Sequence, residues 1–474
     1  MTLIKAGKGY VDKLAIIASL GGFLFGYDTA VISGTINFVS SQFHLDAAGT
    51  GWYVSSALLG CISGVSVAGI LSDKYGRKKL LILSALFFAV SAIGCAFAIG
   101  FTSLVIYRLI GGLGIGVASM LSPLYISELS PSHKRGRLVA LYQFAITLGI
   151  LFSYFINAYL LRLSHTEFML QTTGLLHKIM VSEVWRIMLG TSVVPALLFL
   201  FLLLFVPESP KWLTINGKEQ GALRILKRIV TDDEAQKEIN DIKSNLQNET
   251  GGLGILFKGG FRVAMIIGIS LAFLSQVSGI NAIIYYGPKI LQEAGLPVSD
   301  ALTGQVVIGF VNVLFTLIAI WKIDRLGRKP LLLTGIIGII LSLIIIGLLF
   351  YFNSTNTYLL LIFILFFIAC FAFSYGPVIW VLLAEIFPAR IRGKAMSLAT
   401  FSLWIGTALV GQLTPIFLEK LKPAGTFWLF ALLTAPAFWL AIKIIPETKG
   451  KSLEEIERYW LNRKSKVQHH EIEK

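Results

Sequence analysis

The stretch DKYGRKK, residues 73–79, is a short basic loop between two long apolar runs. A similar stretch, DRLGRKP, occupies residues 324–330 and begins 324 − 73 = 251 residues further along the chain. Basic loops between apolar runs are typical of the cytoplasmic links between membrane helices. The recurrence of the motif predicts that the chain contains two copies of one membrane-embedded unit.

Two other pairs of motifs support this internal repeat. An acidic residue precedes a basic motif by seven residues twice, at Glu128 before RGR and at Glu385 before RGK, and these acids lie 385 − 128 = 257 residues apart. The motif PESPKW follows the sixth apolar run, and PETKGK follows the twelfth. Parallel repeats predict two six-helix halves with the same orientation, related by an axis along the membrane normal.

The composition is that of an integral membrane protein. Of the 474 residues, 55% are hydrophobic and 14% are charged, and the mean hydropathy of +0.76 excludes an ordinary water-soluble globule. The apolar runs have the length of about 20 residues that crosses about 30 Å of hydrocarbon as a helix, without the alternation of a membrane barrel. We predict an all-α membrane protein with twelve transmembrane helices, at 14–37, 51–71, 80–100, 103–127, 137–161, 184–206, 261–286, 301–321, 331–351, 357–384, 394–418 and 425–445.

These spans divide the chain into an N-terminal six-helix half (1–206), a polar cytoplasmic linker with short amphipathic helices (207–260), a C-terminal six-helix half (261–445) and a cytoplasmic tail (446–474). Lys and Arg cluster in the links after spans 2, 4, 8 and 10 and are absent from those after spans 1, 3 and 9. This pattern predicts that both termini face the cytoplasm. We expect a multi-pass protein of the plasma membrane, which in a bacterium is the inner membrane, with its first apolar run retained.

Several other classes of function are not supported. The net charge of +15 lies in membrane loops rather than on a basic face of a soluble domain, so we expect no nucleic-acid partner. Cys61, Cys95 and Cys370 lie in apolar runs and are interpreted as packing residues rather than as disulfide or metal ligands. We find no nucleophile–base pair, metal cluster or phosphate loop, and we therefore expect neither an enzyme nor a cofactor.

Asp28, in FLFGYDTAVISG, and Arg108, in IYRLIGGLGIG, are ionisable residues inside apolar spans. An aspartate at a helix centre costs about 2.5–3.5 kcal/mol, so it calls for a partner or a task. A structural salt bridge is one interpretation. We favour proton coupling, because a change that separates the two charges would make Asp28 take up a proton. Gly112 and Gly116, which follow Arg108, form a G-x-x-x-G pair that predicts close helix packing.

Charged residues at the cytoplasmic ends of the helices form a second candidate set. Basic loops orient a membrane protein whatever its function, but here the acidic partners recur as well. We therefore favour a cytoplasmic gate, in which charge pairs hold that side of the protein shut. Its predicted members are Asp73, Arg77, Glu128, Arg135, Asp324, Arg328, Glu385 and Arg392.

Polar and aromatic residues inside the spans form the third set, which comprises Gln143, Gln276, Asn281, Asn312 and Trp380. Amides at membrane depth can join helices. Several amides beside aromatic rings also suit a ligand rich in hydroxyl groups, since an amide both donates and accepts and an indole face covers C–H groups. We expect Pro288 and Pro377, beside Gly287 and Gly376, to break spans 7 and 10 near such a site.

From about residue 12 to residue 458 the chain resembles the sugar porter family of the major facilitator superfamily. The resemblance rests on DKYGRKK, YRLIGGLGIG, PESPKWL, QVSGINAIIYYGP, DRLGRKP, AEIFPARIRGKA and PETKGKSLEEIE. It implies the major facilitator fold and a sugar site near the middle of the membrane. The sugar-binding roles implied fall on Phe25, Gln143, Gln276, Asn281, Tyr285, Asn312, Gly376, Trp380 and Trp404.

The resemblance also implies proton coupling, because proton symporters of the family carry an acid at Asp28 and an arginine at Arg108, whereas glucose-type facilitators carry asparagine in place of the acid. Two positions depart from the symporter pattern: Ser275 precedes Gln276 where a glutamine is usual, and Leu403 precedes Trp404 where a polar amide is usual. We expect a monomer in the lipid bilayer that moves a monosaccharide, a pentose or a hexose, together with a proton by alternating access. A facilitator of the same fold and a transporter-like sugar sensor are the alternatives.

Overall fold

The computed structural model describes residues 9–248, 261–353, 356–387, 392–449, 455–456 and 459, and within them every regular element is helical. A short π-helix, Lys178–Ser182, lies between the seventh and eighth α-helices. The α-helices are α1 (Tyr10–Gln42), α2 (Ala47–Tyr75), α3 (Arg77–Ala96), α4 (Phe101–Leu129), α5 (Ser132–Ser164), α6 (Glu167–Leu170), α7 (Gly174–His177), α8 (Trp185–Gly190), α9 (Val193–Phe205), α10 (Pro210–Ile215), α11 (Glu219–Leu226), α12 (Asp232–Asn248), α13 (Phe261–Val277), α14 (Ile280–Glu293), α15 (Val298–Leu326), α16 (Arg328–Tyr351), α17 (Thr357–Phe373), α18 (Tyr375–Ile386), α19 (Arg392–Lys420) and α20 (Lys422–Lys443).

Twelve helical stretches in the described residues are long and apolar enough to cross a membrane, which confirms the predicted all-α, twelve-span architecture. Three of these stretches consist of two helices each: α8 with α9, α13 with α14, and α17 with α18. Several helices are longer than the predicted spans. For example, α1 has 33 residues, and at 1.5 Å per residue it measures about 50 Å. In such helices the apolar run covers only part of the helix.

The chain folds into two units. Unit 1 comprises Met1–Glu249, Ile284–Gln292 and Pro297–Gly309, and unit 2 comprises Thr250–Ile283, Glu293–Leu296 and Phe310–Lys474. In unit 1, α1 packs on α5 and α2 packs on α4. A Cβ atom at Gly112 would collide with the carbonyl of Ala57, and one at Gly116 with that of Cys61. The predicted close packing at the G-x-x-x-G pair is therefore confirmed.

The breaks in spans 7 and 10 are not at the predicted prolines. Span 7 breaks at Gly279, whose φ of +90° suits glycine, while Pro288 lies inside the continuous helix α14. Span 10 breaks at Ser374, which leaves Pro377 in the first turn of α18, where a missing N–H costs little. The prediction for Pro288 was wrong. The carbonyl of Ile284, which loses its helical donor to the proline, accepts hydrogen bonds from the side chains of Tyr154 and Gln305 instead.

In unit 2, α13 packs on α19, and α16 packs on α17 and α20. The segment after span 6 contains the short helices α10, α11 and α12. Ala222 and Leu226 of α11 and Ala235 and Ile239 of α12 form a small hydrophobic core of their own. The predicted linker and tail extend beyond the described residues, at 249–260 and over most of 450–474.

Candidate functional site

A buried ion pair lies in unit 1. Nη1 of Arg108 on α4 is 3.1 Å from Oδ2 of Asp28 on α1, and the two residues are only 2% and 5% exposed. Gly111, one turn after Arg108, allows Ser91 of α3 to pack closely beside the pair, since a Cβ atom there would lie only 2.5 Å from the hydroxyl of Ser91. The structure thus brings together the two residues for which the sequence predicts proton coupling.

This ion pair has a single hydrogen bond between its partners. Nη1 donates to the carboxylate, and the buried Nε of Arg108 has no acceptor among the described residues. A guanidinium that engages a carboxylate through both of its nitrogens is held more firmly than one bonded at a single point. The contact can therefore be separated at a lower cost than a two-point contact, although an unpaired buried charge is strongly unfavourable.

A cluster of neutral side chains lies in unit 2. Nδ2 of Asn281 on α14 donates to Oε1 of Gln276 on α13 over 2.7 Å, and Nε2 of Gln276 donates to the hydroxyl of Ser275 over 3.0 Å. The hydroxyl of Thr407 on α19 lies 3.1 Å from the same Gln276 oxygen and 2.9 Å from the carbonyl of Leu403. The turn at Gly279 brings Gln276 and Asn281 face to face across the break in span 7.

The other predicted sugar-binding residues lie in both units. Tyr285, Asn312 and Trp404 are buried, whereas Phe25, Gln143, Gly376 and Trp380 are half-buried. Phe25, Gln143 and Tyr285 belong to unit 1, and Gln276, Asn281, Asn312, Gly376, Trp380 and Trp404 belong to unit 2. Thr407 was not predicted. Its position one helical turn after Trp404 is the signal that points to it.

Arg77, at the start of α3, is the centre of a charged corner in unit 1. Its Nε and Nη2 donate to the two oxygens of Glu128 on α4 over 3.1 and 3.3 Å, and its Nη1 lies 3.0 Å from Asp73. The hydroxyl of Ser209 donates to Glu128 over 2.5 Å. Arg77, Glu128, Ser209 and Glu208, described next, are called the N-terminal corner.

Glu208 completes this corner by accepting hydrogen bonds from the backbone N–H groups of Arg77 and Lys78, over 2.9 and 3.2 Å. A carboxylate at a helix N-terminus satisfies free N–H groups and complements the helix dipole. Gly76, with a φ of +99°, admits it, because a Cβ atom there would collide with the Glu208 carboxylate. In the sequence Glu208 appeared only as part of the repeated PESPKW motif, and no role was predicted for it.

Unit 2 repeats this arrangement at a C-terminal corner, which consists of Arg328, Glu385, Thr448 and Glu447. Nε and Nη2 of Arg328 donate to the two oxygens of Glu385 over 3.2 and 2.9 Å, and the Thr448 hydroxyl donates to Glu385 over 2.5 Å. Glu447 accepts from the backbone N–H groups of Arg328 and Lys329 over 3.1 and 3.0 Å.

Glu447 has a perturbed pKa. Partial burial would raise the pKa of this carboxyl, but hydrogen bonds from the backbone N–H groups of Lys449, Arg328, Lys329 and Thr448 outweigh burial and hold the pKa below its ordinary value. The carboxylate is therefore preferentially ionised in the folded protein, where it accepts bonds at the N-terminus of α16.

The remaining predicted gate residues are placed differently. Arg135 donates to the backbone carbonyls of Ser127 and Ser130 over 3.1 and 3.4 Å, so it binds the C-terminal end of α4 rather than Glu128. A cation there complements the negative end of the helix dipole. The side chains of Asp324 and Arg392 lie outside the part of the chain that the structure describes.

One charged pair at the opposite ends of the helices was not predicted. Arg186 donates to the carboxylate of Glu183 and also to the carbonyls of Ala96 and Ala98, over 3.2 and 2.7 Å. Burial would raise the pKa of Glu183, but hydrogen bonds from Arg186 and Gln42 lower it below its ordinary value. The pair joins the start of α8 to the end of α3 and is best explained as structural.

Twelve membrane-crossing helices in a repeated arrangement, with a buried acid–guanidinium pair and a cluster of amides, define a membrane transporter of the major facilitator type rather than an enzyme. The sequence profile described as "Sugar (and other) transporter" matches residues 14–460. The chain therefore belongs to this family of sugar transporters, and the resemblance stated from the motifs is confirmed.

Characterised relatives cover nearly the whole chain. It is 42% identical over 454 residues to the arabinose-proton symporter of Bacillus subtilis (strain 168), covering 96% of each protein. It is 38% identical over 495 residues to the D-xylose-proton symporter of Escherichia coli (strain K12), covering 97% of this chain and 98% of the relative. Its fold matches the proton:xylose symporter XylE bound to 6-bromo-6-deoxy-D-glucose with a TM-score of 0.81, at 36% identity over 96% of this chain and 99% of that one.

Proposed function

We propose that this protein is a secondary active transporter that carries a monosaccharide together with a proton across the plasma membrane by alternating access. Its relatives named for arabinose and D-xylose support a pentose, and a hexose is the neighbouring possibility within the same substrate class. Both termini face the cytoplasm in this proposal, as the distribution of basic loops predicts, and the protein acts as a monomer.

The ion pair of Asp28 with Arg108 is the observation that carries proton coupling. While Arg108 is hydrogen-bonded to Asp28, the guanidinium stabilises the ionised carboxylate. When they separate in a site of low dielectric, the unpaired carboxylate becomes costly and takes up a proton. The single hydrogen bond between them, 3.1 Å long, is suited to repeated separation. One acidic residue can thus link protonation to a change of conformation.

The amide cluster of unit 2 supports the sugar-binding role. Gln276 and Asn281 bond to each other over 2.7 Å, and a sugar hydroxyl, which both donates and accepts, can replace this internal bond without leaving an amide unsatisfied. Trp380 and Trp404 supply aromatic faces for the C–H side of a sugar ring. Gln143, Asn312, Tyr285, Phe25 and Gly376 complete the proposed set of sugar contacts.

The two corners support a gating role at the cytoplasmic ends of the helices. Each holds an arginine against a carboxylate through two hydrogen bonds and fixes the start of a membrane helix. Networks of this kind stabilise one of two arrangements of packed helices. We assign Arg77, Glu128, Arg328 and Glu385 to the gate, together with the sequence-predicted Asp73, Arg135, Asp324 and Arg392.

Uptake by purified protein in liposomes tests the proposal. Radiolabelled D-xylose, L-arabinose and D-glucose are each supplied under an imposed inward proton gradient, with and without a protonophore. Proton-coupled transport predicts transient accumulation above the external concentration for at least one sugar and its loss on adding the protonophore. Equilibration without accumulation would identify a facilitator, and binding without uptake would identify a sensor.

A further inference from the structure

Pro288 removes a hydrogen-bond donor from the middle of α14. A proline has no backbone N–H, so the carbonyl four residues earlier, that of Ile284, lacks its normal helical partner. In a buried setting such a carbonyl is costly unless another group donates to it. Ile284 is itself buried, and water is scarce at this depth of a membrane protein.

Two buried side chains supply the missing bond. The Tyr154 hydroxyl of α5 donates to the Ile284 carbonyl over 3.1 Å, and Nε2 of Gln305 on α15 donates to it over 3.3 Å. Gly287 admits the second donor, because a Cβ atom there would lie 2.6 Å from the Gln305 amide. Tyr154 and Gln305 are called the carbonyl clamp.

The internal repeat contains a counterpart of this feature in α1. An offset of 253 residues pairs Gly34 with Gly287 (287 − 34) and Val31 with Ile284 (284 − 31). The amide of Asn157, one turn after Tyr154 on α5, donates to the Val31 carbonyl over 3.1 Å, and a Cβ atom on Gly34 would lie 2.5 Å from it.

The two copies differ at the next position. At the same offset Thr35 aligns with Pro288 (288 − 35 = 253), and Thr35 retains the backbone N–H that proline lacks. In α1 the hydrogen bond from the Asn157 amide is therefore additional to the helical one. In α14 the hydrogen bonds from Tyr154 and Gln305 replace a helical one. Of these two helices, α14 is therefore the one in which side chains of neighbouring helices replace a backbone donor.

We infer that Tyr154 and Gln305 are positioning residues, which fix α14 to α5 and α15 through the carbonyl left by Pro288. The chain turns between α13 and α14 at Gly279, whose φ is +90°. Because α14 carries Tyr285, which belongs to unit 1 like the clamp, the clamp sets the position of this side chain. Its consequence for sugar binding depends on the proposed function, but the clamp itself does not.

Amide hydrogen exchange in the intact protein in lipid nanodiscs tests the clamp without any sugar. Tyr154→Phe and Gln305→Leu are each expected to raise exchange in peptides covering 284–292 by about three- to tenfold, the range for one lost hydrogen bond. Tyr159→Phe, the same change at an exposed position of α5, is expected to leave exchange unchanged.

The decisive comparison uses Pro288→Ala, which restores a backbone N–H to the Ile284 carbonyl. In that background we expect the effect of Tyr154→Phe on exchange to fall below twofold. An undiminished effect would overturn the inference, since it would show that the tyrosine acts through packing alone, as would unchanged exchange in both single variants.

Sugar exchange links the clamp to transport. Tyr154→Phe is expected to raise the KM for D-xylose counterflow at least threefold with little change in maximal rate, and Pro288→Ala is expected to restore it. A change in maximal rate alone, or no rescue, would contradict a positioning role. Absence of counterflow in the native protein would instead refute the proposed substrate. It would not affect the result of the amide hydrogen-exchange experiment.

Discussion

The two units of this protein are alike at their charged corners and different in the apolar part of their helices. At each corner an arginine engages a glutamate through both of its side-chain arms, a hydroxyl supports that glutamate, and a second glutamate accepts from the start of a helix. In the interior, unit 1 has the charged pair of Asp28 and Arg108, whereas unit 2 has the neutral cluster of Gln276 and Asn281.

The repeat makes this difference specific. Asp28 and Asn281 occupy the same place in the two copies, since 281 − 28 = 253 is also the offset between Gly34 and Gly287. One copy therefore has a carboxylate where the other has its amide counterpart. Features present in both copies suit a task that both perform, such as holding helix ends. Features present in one copy suit a task of that copy alone, which in the proposed function is proton coupling at Asp28 and a hydrogen bond to sugar at Asn281.

The largest effect is expected from Asp28→Asn, which gives unit 1 the residue type of unit 2. An asparagine cannot exchange a proton, so uphill accumulation of sugar should fall to the level of simple equilibration. Sugar exchange between the two sides should persist, because exchange needs no net proton movement. Accumulation and counterflow in the same liposomes measure the two quantities.

Asp46→Asn is the matched control, because Asp46 is an exposed helix cap that accepts from the Gly49 N–H, and asparagine can do the same. It should leave accumulation intact. Accumulation that survives Asp28→Asn would contradict the assignment of proton coupling to unit 1.

A smaller effect is expected from Gln276→Leu in unit 2. This change removes the oxygen that accepts from Asn281 and the proposed hydrogen bonds to sugar, so we expect sugar affinity to fall about tenfold or more. The ratio of protons to sugar should not change. Calorimetry of D-xylose binding at equilibrium measures the affinity, and the exposed linker variant Gln236→Leu is the control. An unchanged affinity in Gln276→Leu would show that Gln276 does not contact the sugar.

The corners predict a graded loss of stability. The Arg77 and Glu128 side chains are each 5% exposed, whereas those of Arg328 and Glu385 are 12% and 26% exposed. Because water weakens exposed charge pairs, we expect Glu128→Gln to cost about 2 kcal/mol and Glu385→Gln about 1 kcal/mol or less. Thermal unfolding in detergent measures the loss of stability in each variant, with the exposed Glu238→Gln as control. A larger loss in Glu385→Gln than in Glu128→Gln would contradict this expectation.

The smallest expected effect is a pH dependence at the C-terminal corner. The folded-state pKa of Glu447 is lowered from 4.5, so its carboxylate stabilises the fold above that value, and this contribution is lost as the pH falls through the folded-state pKa. The melting temperature of Glu447→Gln should therefore approach that of the native protein as the pH falls below 4.5 and through the folded-state pKa. A difference that stays constant with pH would rule out this ionisation as its cause.

The sequence was most informative where a residue conflicts with its surroundings. Asp28 and Arg108 stand out because charges are costly in apolar spans, and the basic loops stand out because they recur. Glu208 and Glu447 were missed as helix caps, since an acid beside a membrane helix is unremarkable until its backbone partners are known. Thr407 was missed because hydroxyls are common in membrane helices.

The break in span 7 shows why pattern alone was insufficient. Proline normally interrupts a helix, but whether it does so depends on what becomes of the carbonyl it leaves without a donor. At Pro288 the donors to this carbonyl are Tyr154 and Gln305, which are distant along the chain and come close to it only after folding. Gly279 instead adopts the positive φ that ends α13.

Sugar-driven proton movement is the most direct measure of proton coupling at Asp28. Purified protein in weakly buffered liposomes, without an imposed gradient, receives D-xylose or L-arabinose while the external pH is recorded. We expect the medium to become more alkaline with the native protein and its pH to stay unchanged with Asp28→Asn. Sugar entry without any pH change in the native protein, or an equal change in the variant, would contradict proton coupling at Asp28.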